Sequence, residues 1–320
     1  MTEITPHRMR FTGEGSTLFG IQIVNAILVL VTLGFYWPWA RAKKLRYLYS
    51  HIEVGGSPLE FHGTGKEMFK GFLKVVGIFI LFFGGINYGQ YLIRTGTSYG
   101  FFLMLLSYLL FLLVIPFAMH GGARYRMSRT SWRGIHMGYR GKLSELLAIY
   151  FKGLLFTMLS LGLYGAWWMM DLRRYIMANT RVGDTAMQFE GEGTEYFVLT
   201  LKGVFLTYLT LGIYGFRYAM HRNHFMINNV GIMQGEQYYN FKSNTTGMGF
   251  FRTYVPATIL TIFTLGFAAP WAEVMIMEYI VGSIELDGRF DPEKLIQTED
   301  NYGNAAGEDV VDVLLDIDLA

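Results

Sequence analysis

The residues best suited to chemistry are polar side chains inside long apolar runs. Two repeated Leu-Gly motifs, with Gly162 and Gly212, have a Lys-Gly pair at the same distance upstream: Lys152-Gly153 and Lys202-Gly203. The same distance upstream of Gly34, in the first such motif, leads to Asn25. A charged side chain within a membrane span is costly and therefore marks a candidate site. Two interpretations stay open: the lysines extend to the membrane interface, or they bind an anion inside the membrane. Asn25 and Asn87 are expected to join helices by hydrogen bonds, or to contact a substrate.

A second set of candidates is cationic and follows two of the apolar runs. The segment ARAKKLRYLY mixes cations with Leu and Tyr, a composition that fits a segment lying against anionic lipid head groups. The simpler interpretation is that these charges only set topology, because basic segments stay on the cytoplasmic side. Nothing resembles a nucleic-acid recognition module, so nucleic acid is not an expected partner. The candidate head-group residues are Arg41, Lys43, Lys44, Arg46, Arg173 and Arg174.

Motifs for catalysis or metal binding are missing from the sequence. The absence of cysteine excludes disulfides, thiolate metal sites and cysteine nucleophiles. His221 and His224 share a helix face, but no third ligand follows at a diagnostic spacing. HExxH, GxSxG and Walker A motifs are also absent. We therefore expect no cofactor and no metal, and an enzyme is the least favoured class.

The elements that must position these residues are long apolar segments. Of the 320 residues, 52% are hydrophobic and 16% are charged, against about 25% charged in an average soluble domain. This composition predicts an all-α integral membrane protein with about six transmembrane helices, and the Gly-rich turns at 51–65 and 179–193 predict small extramembrane β-hairpins. The candidate spans lie at about 17–40, 71–92, 99–119, 146–170, 196–220 and 250–281.

Internal similarity predicts a repeated unit of about 50 residues. Four apolar runs end in similar sequence motifs: TLGFYWPWA (32–40), SLGLYGAWW (160–168), TLGIYGFRY (210–218) and TLGFAAPWA (264–272). Aromatic-led segments precede the spans at 11, 61, 139, 189 and 241, so one longer unit holds an extra span. We predict a membrane domain at 1–290 with units of about 11–60, 61–138, 139–188, 189–240 and 241–290.

The repeated motif leaves two topologies open. Single crossings, which we favour, place equivalent basic segments on opposite sides of the membrane. In the alternative, each run doubles back at its Leu-Gly break, and every unit stays on one side as a re-entrant element. The candidate bends, which are expected to line a cavity if the helices are broken as in transporters, are Gly34, Pro38, Gly162, Gly212, Gly266 and Pro270.

The longest motif carries a family resemblance. TLGFYWPWARAKKLRYLYSHIEVGG, with its weaker copy SLGLYGAWWMMDLRRYIMANTRVGD, resembles the DUF898 family of bacterial inner-membrane proteins. The resemblance extends over about residues 10–290. It implies an integral protein of the bacterial inner (cytoplasmic) membrane, and it brings no activity and no catalytic residue.

The end of the chain is acidic. Residues 285–320 hold eleven Asp or Glu against two basic residues, and we predict a disordered acidic tail at 291–320 whose last residues could dock a partner. Two functions stay open: a transporter, channel or lipid-handling protein with a cavity between repeats, or a structural or regulatory scaffold acting through basic loops and tail. The expected partners are membrane lipids, anionic ones included, with a homo-oligomer or a protein bound by the tail as further options.

Overall fold

The computed structural model describes residues 6–298, which form ten strands and ten α-helices. The order strand, helix, helix, strand occurs five times in this part of the chain. The strands are β1 (His7–Phe11), β2 (Ile52–Val54), β3 (Ser57–Phe61), β4 (Thr130–Trp132), β5 (Ile135–Tyr139), β6 (Thr180–Val182), β7 (Thr185–Phe189), β8 (Val230–Gln234), β9 (Gln237–Ser243) and β10 (Ile284–Leu286). The helices are α1 (Gly15–Val31), α2 (Trp37–Ser50), α3 (Gly65–Arg94), α4 (Tyr99–Ser128), α5 (Leu143–Leu159), α6 (Gly165–Ala178), α7 (Gly193–Leu209), α8 (Gly215–Asn228), α9 (Gly247–Phe263) and α10 (Ala269–Gly282).

The strands close into one antiparallel barrel in which neighbours follow chain order. Closure is made by β1 and β10, with Arg8 opposite Glu285 and His7 opposite Leu286. The outward Arg8 and Glu285 side chains also form an ion pair of 3.0 Å. Because the barrel has no open edge, every strand finds its backbone partners within the chain.

Alternating apolar residues fill the barrel interior. Val54, Trp132, Val182 and Leu286 belong to one buried cluster with the aromatic side chains around them. The segment after β10 completes this core, because Phe290 is only 2% exposed and stacks on Trp132 at 6.4 Å between ring centroids. The barrel interior is therefore filled by side chains, as in other small barrels, and the segment after β10 contributes Phe290 to it.

Each Leu-Gly motif reverses the chain between two helices. Leu33 and Gly34 have φ values of 50° and 93°, and the pairs that begin at Leu161, Leu211 and Leu265 repeat this left-handed geometry. The hydroxyl before each pair then caps the next helix: Thr32 Oγ1 accepts the Tyr36 amide at 2.9 Å. The motif thus makes a tight helical hairpin, because glycine adopts positive φ without steric cost.

All five helical hairpins stand at one end of the barrel. Each hairpin joins the end of an odd-numbered strand to the start of the next even-numbered one, and neighbouring strands are antiparallel. Four hairpins begin with a 17-residue helix, whereas α3 and α4 have 30 residues each. Neighbouring hairpins pack together, and α10 packs against α1, so the helices form a ring above the barrel.

Tyrosines fix the hairpins to the strand ends. Tyr47 Oη donates to the Glu14 carbonyl at 2.9 Å and accepts the Glu14 amide at 2.6 Å. Tyr175 makes the same pair of contacts with Lys142. Each tyrosine lies near the end of the second helix and holds the start of the first, so both helices of a unit are tied together at the barrel.

The predicted all-α fold with about six spans is wrong. A ten-strand barrel is present, and the expected small β-hairpins are parts of that barrel rather than separate elements. Within residues 6–298, only α3 and α4 are long and apolar enough to cross a membrane, and they contain the predicted spans 71–92 and 99–119. The runs 17–40, 146–170, 196–220 and 250–281 are broken by Leu-Gly turns, and they look continuous in sequence because the hairpin tips are themselves apolar.

Candidate functional site: a cationic cleft between the first two hairpins

An amphipathic opening lies where α2, α3 and α4 meet above β3. It encloses about 490 Å³, within the range of small-molecule sites. Its cationic residues are Arg41 and Arg126, and most of the remaining wall is aromatic or aliphatic. The lining consists of Gly34, Trp37, Arg41, Leu45, Phe61, Met68, Phe72, Val75, Gly122, Tyr125 and Arg126.

The two arginines come from helices on opposite walls. Arg41 lies on α2, where its guanidinium carbon is 5.1 Å from the centre of the Trp37 ring. Arg126 lies near the barrel end of α4, and its charge opposes the rise that burial gives to the pKa of the neighbouring Tyr49. Both arginines are half-buried. The cleft thus has a cationic side chain on each of two walls, while Trp37, Phe72 and Val75 supply apolar surface.

The base of the cleft is rigid. Glu67, near the start of α3, accepts bonds from Arg129 Nη2 at 3.1 Å and Arg129 Nε at 3.3 Å, and Arg129 is 6% exposed. The same carboxylate accepts the Tyr125 hydroxyl at 3.3 Å and completes a capping box with Thr64. This bidentate pair, buried on the Arg129 side and partly exposed at Glu67, fixes α3 to the end of α4 and so positions the cleft wall.

Of the six predicted head-group residues, only Arg41 lines this cleft. Arg46 donates to the Gly63 carbonyl at 3.2 Å, and Arg174 donates to the Gly191 carbonyl at 3.0 Å, so both arginines hold loops that start the next unit. Lys44 pairs with Glu273 at 2.9 Å. The remaining two are Arg173, which donates to the Met226 carbonyl, and Lys43, which lies over the Tyr36 ring.

The predicted intramembrane polar residues do not converge on one site. Lys152 and Lys202 are exposed and line separate grooves of about 310 and 530 Å³ within their own hairpins. Asn25 is 5% exposed and donates to the Ala40 carbonyl at 3.2 Å, which joins α1 to α2. Asn87 is exposed and donates to the Phe83 carbonyl of its own helix at 2.7 Å.

The predicted bends fall into two structural groups. Gly34, Gly162, Gly212 and Gly266 occupy the left-handed positions of the hairpin turns, and of these only Gly34 reaches the cleft. Pro38 and Pro270 lie in the first turns of α2 and α10, where proline leaves no helical hydrogen bond unmade.

Sequence analysis did not identify Arg126 as a site residue. It belongs to the basic run at 120–142, whose density of arginines fits topology equally well. No spacing rule pairs it with Arg41, because 84 intervening residues include the whole long hairpin. In the described part of the chain, no group of three or more His, Asp or Glu is arranged to hold a metal ion.

The start of the predicted acidic tail contacts the barrel. Leu295 is 8% exposed within the barrel core, and Gln297 Oε1 accepts the His136 amide at 2.8 Å. Thr298 Oγ1 donates to the Gly183 carbonyl at 2.6 Å. The rest of the tail lies outside the described residues, so its disorder and its partner remain predictions.

Two exposed apolar helices of membrane length, α3 and α4, together with a cleft that combines cationic and apolar side chains, are typical of a membrane-embedded protein. Comparison with known proteins agrees. The family described as "Bacterial protein of unknown function (DUF898)" matches residues 6–190 and 218–313, and the chain belongs to this family. This confirms the resemblance noted in the sequence.

Relatives with the name inner membrane protein YjgN include one from Salmonella typhimurium and one from Escherichia coli K12. The one from Salmonella typhimurium is 30% identical over 166 residues, covering 52% of this chain and 39% of the relative. The one from Escherichia coli K12 is 32% identical over 137 residues, covering 43% and 32%. The matches thus span well under half the length of these relatives. The predicted inner-membrane location is confirmed, and no solved structure matches the chain.

Proposed function

We propose that the protein binds an anionic phospholipid of the inner membrane in the cleft between α2 and α4. The observation that carries this proposal is the pairing of Arg41 and Arg126 with an otherwise apolar wall. A phosphate head group needs cationic donors, and an acyl chain needs apolar surface. The cleft offers both in one opening, which favours an amphiphile over a fully polar solute.

The residue types in the cleft support a phosphate ligand. Guanidinium groups present planar forks of donors that match phosphate oxygens, and they are more weakly hydrated than ammonium groups. Each basic residue near anionic lipid contributes about 1 kcal/mol, so two arginines contribute about 2 kcal/mol. That free energy corresponds to about a thirtyfold change in Kd.

The test is lipid binding by purified protein in mild detergent, measured by native mass spectrometry with added phosphatidylglycerol. The native protein should retain one phosphatidylglycerol in preference to phosphatidylcholine. The double variant Arg41→Gln, Arg126→Gln should bind about thirtyfold more weakly, by the estimate above. Lys43→Gln is the matched control, because it removes one charge from the same helix but Lys43 does not line the cleft.

Two further measurements, on a Lys double variant and on competition by inorganic phosphate, complete the test. Arg41→Lys with Arg126→Lys keeps the charge and should bind more tightly than the Gln double variant, which separates loss of charge from misfolding. Competition by inorganic phosphate alone would indicate a soluble anion rather than a lipid. Equal lipid retention by the double variant and the Lys43→Gln control would refute the proposal.

We also infer that the five units are degenerate repeats within a membrane domain at about 1–290. The support is the shared order of elements and the recurrence of Leu-Gly turns at four hairpin tips. Transport through a cavity between units is not favoured by a specific contact, so lipid binding is the function we put forward.

A further inference from the structure

The four short hairpins end in exposed apolar tips. Leu33, Leu161, Leu211 and Leu265 are 89%, 95%, 95% and 90% exposed. Their neighbours on the same tips are also apolar and exposed: Leu30, Phe35, Leu159, Leu163, Leu209, Ile213, Phe263 and Phe267. Four such tips at one end of a protein form an apolar surface of the kind that lies in a membrane.

Three hairpins carry a lysine at the same distance from the start of their first helix, which we call the lysine level. Lys74, Lys152 and Lys202 are each the tenth residue of their helices, α3, α5 and α7. Beyond Lys74, α3 runs without a charged residue to Arg94, a distance of about 30 Å, which equals the hydrocarbon thickness of a bilayer. The lysine level therefore matches one face of the membrane, and Arg94 matches the other.

The same measure gives the depth of the short hairpins. Leu161 lies nine positions after Lys152, and Leu211 lies nine positions after Lys202, which is about 14 Å at the rise of a helix. Helix length leads to a similar depth. A 17-residue helix ends about 20 Å nearer the barrel than the 30-residue α3, which itself reaches the far face of the bilayer. The short tips thus stop near the middle of a bilayer of about 30 Å.

We propose that the four short hairpins insert into only the cytoplasmic leaflet of the inner membrane, while α3 and α4 cross it and the barrel lies in the cytoplasm. Basic residues set the orientation, because they cluster at the barrel ends of the helices, as at Arg46, Arg124 and Arg129. The lysines of the lysine level then lie among the head groups, with their alkyl chains along the apolar surface. The occupant of the tip surface is leaflet hydrocarbon. This inference is independent of lipid binding in the cleft.

The chain suits cysteine labelling, because it has no native cysteine. Single variants place the thiol at a short tip (Leu161→Cys or Leu211→Cys), in the long hairpin's turn (Ser98→Cys) or in the exposed β8–β9 turn (Glu236→Cys). A membrane-impermeant maleimide is added to spheroplasts and to inverted vesicles. Labelling after detergent solubilisation confirms that each thiol can react.

The expected pattern differs for each class of site. Ser98→Cys should label only in spheroplasts, Glu236→Cys only in inverted vesicles, and the tip variants in neither preparation. A bimane fluorophore, attached to the tip thiols in detergent before reconstitution into liposomes, should be quenched by lipids that carry a nitroxide near the chain end. Tip labelling in spheroplasts would show full crossings, and tip labelling in inverted vesicles would show hairpins in water. Tips that neither label nor quench would be covered by protein, so any of these three results overturns the proposal.

Discussion

Removing the side chain that closes the barrel should destabilise the whole protein. Phe290 is 2% exposed, and its ring contacts Trp132 and lies 5.5 Å from the Tyr239 ring, measured between centroids. Phe290→Ala removes these contacts and leaves a cavity, which costs about 3–5 kcal/mol for a buried phenylalanine. At about 2–4 °C per kcal/mol for a chain of this order of size, the apparent melting temperature should fall by about 6–20 °C.

The assay is thermal unfolding of purified protein in mild detergent at a fixed heating rate, because membrane proteins often unfold irreversibly. Ile296→Ala is the matched control, since Ile296 belongs to the same segment but is 64% exposed. Surface substitutions of this kind change stability by about 0.5 kcal/mol or less. If Phe290→Ala shifts the melting temperature no more than Ile296→Ala does, residues 287–296 do not form part of the barrel core.

Two further predictions concern packing and pH. A methyl group at Gly153 would overlap the Trp168 ring, so Gly153→Ala should cost about 1–3 kcal/mol, whereas Gly165→Ala, with 3.8 Å to its nearest contact, should be close to neutral. Equal melting temperatures for these two variants would contradict the packing. The Arg289 guanidinium lowers the pKa of the Asp287 carboxyl in the folded protein. This pair therefore stabilises the fold fully above the ordinary carboxyl pKa, and its contribution is lost as the pH falls through the lowered pKa of the folded state. Asp287→Asn should therefore lose less stability than the native chain between about pH 5 and pH 3, measured by melting temperature, and identical profiles would refute this.

The membrane location and the family were predictable because they depend on composition and on a long motif. The barrel was not, because strands such as Ile52–Val54 have three residues, too few to show an alternating pattern. Closure depends on Arg8 meeting Glu285, a pairing across almost the whole chain that no local pattern encodes.

The Leu-Gly motif shows why helix counts from apolar runs fail here. The hairpin turns themselves carry apolar residues, so Leu161 continues the apolar run on which span prediction depends. The alternative in which each run doubles back at this motif agrees with the structure, and the favoured single crossings do not.

The cleft was only partly predictable. Arg41 was found because it lies in the basic motif, but Arg126 reaches the same opening only because the long hairpin returns beside α2. Arg46 and Arg174 have the same sequence pattern as Arg41 and yet bind backbone carbonyls of neighbouring loops. Composition cannot separate these roles, because they depend on which way each helix face turns.

The most direct test of the account is a disulfide across the closure of the barrel. Arg8→Cys with Glu285→Cys places two thiols at paired positions of β1 and β10, where antiparallel Cα atoms lie about 4.5–5.5 Å apart, within disulfide range. Arg8→Cys with Glu60→Cys is the control, because β2 separates those strands. Mild oxidation of membranes should link the first pair and not the second, as read by mass spectrometry of the joined peptides. No link in the first pair, or equal links in both, would contradict a closed barrel.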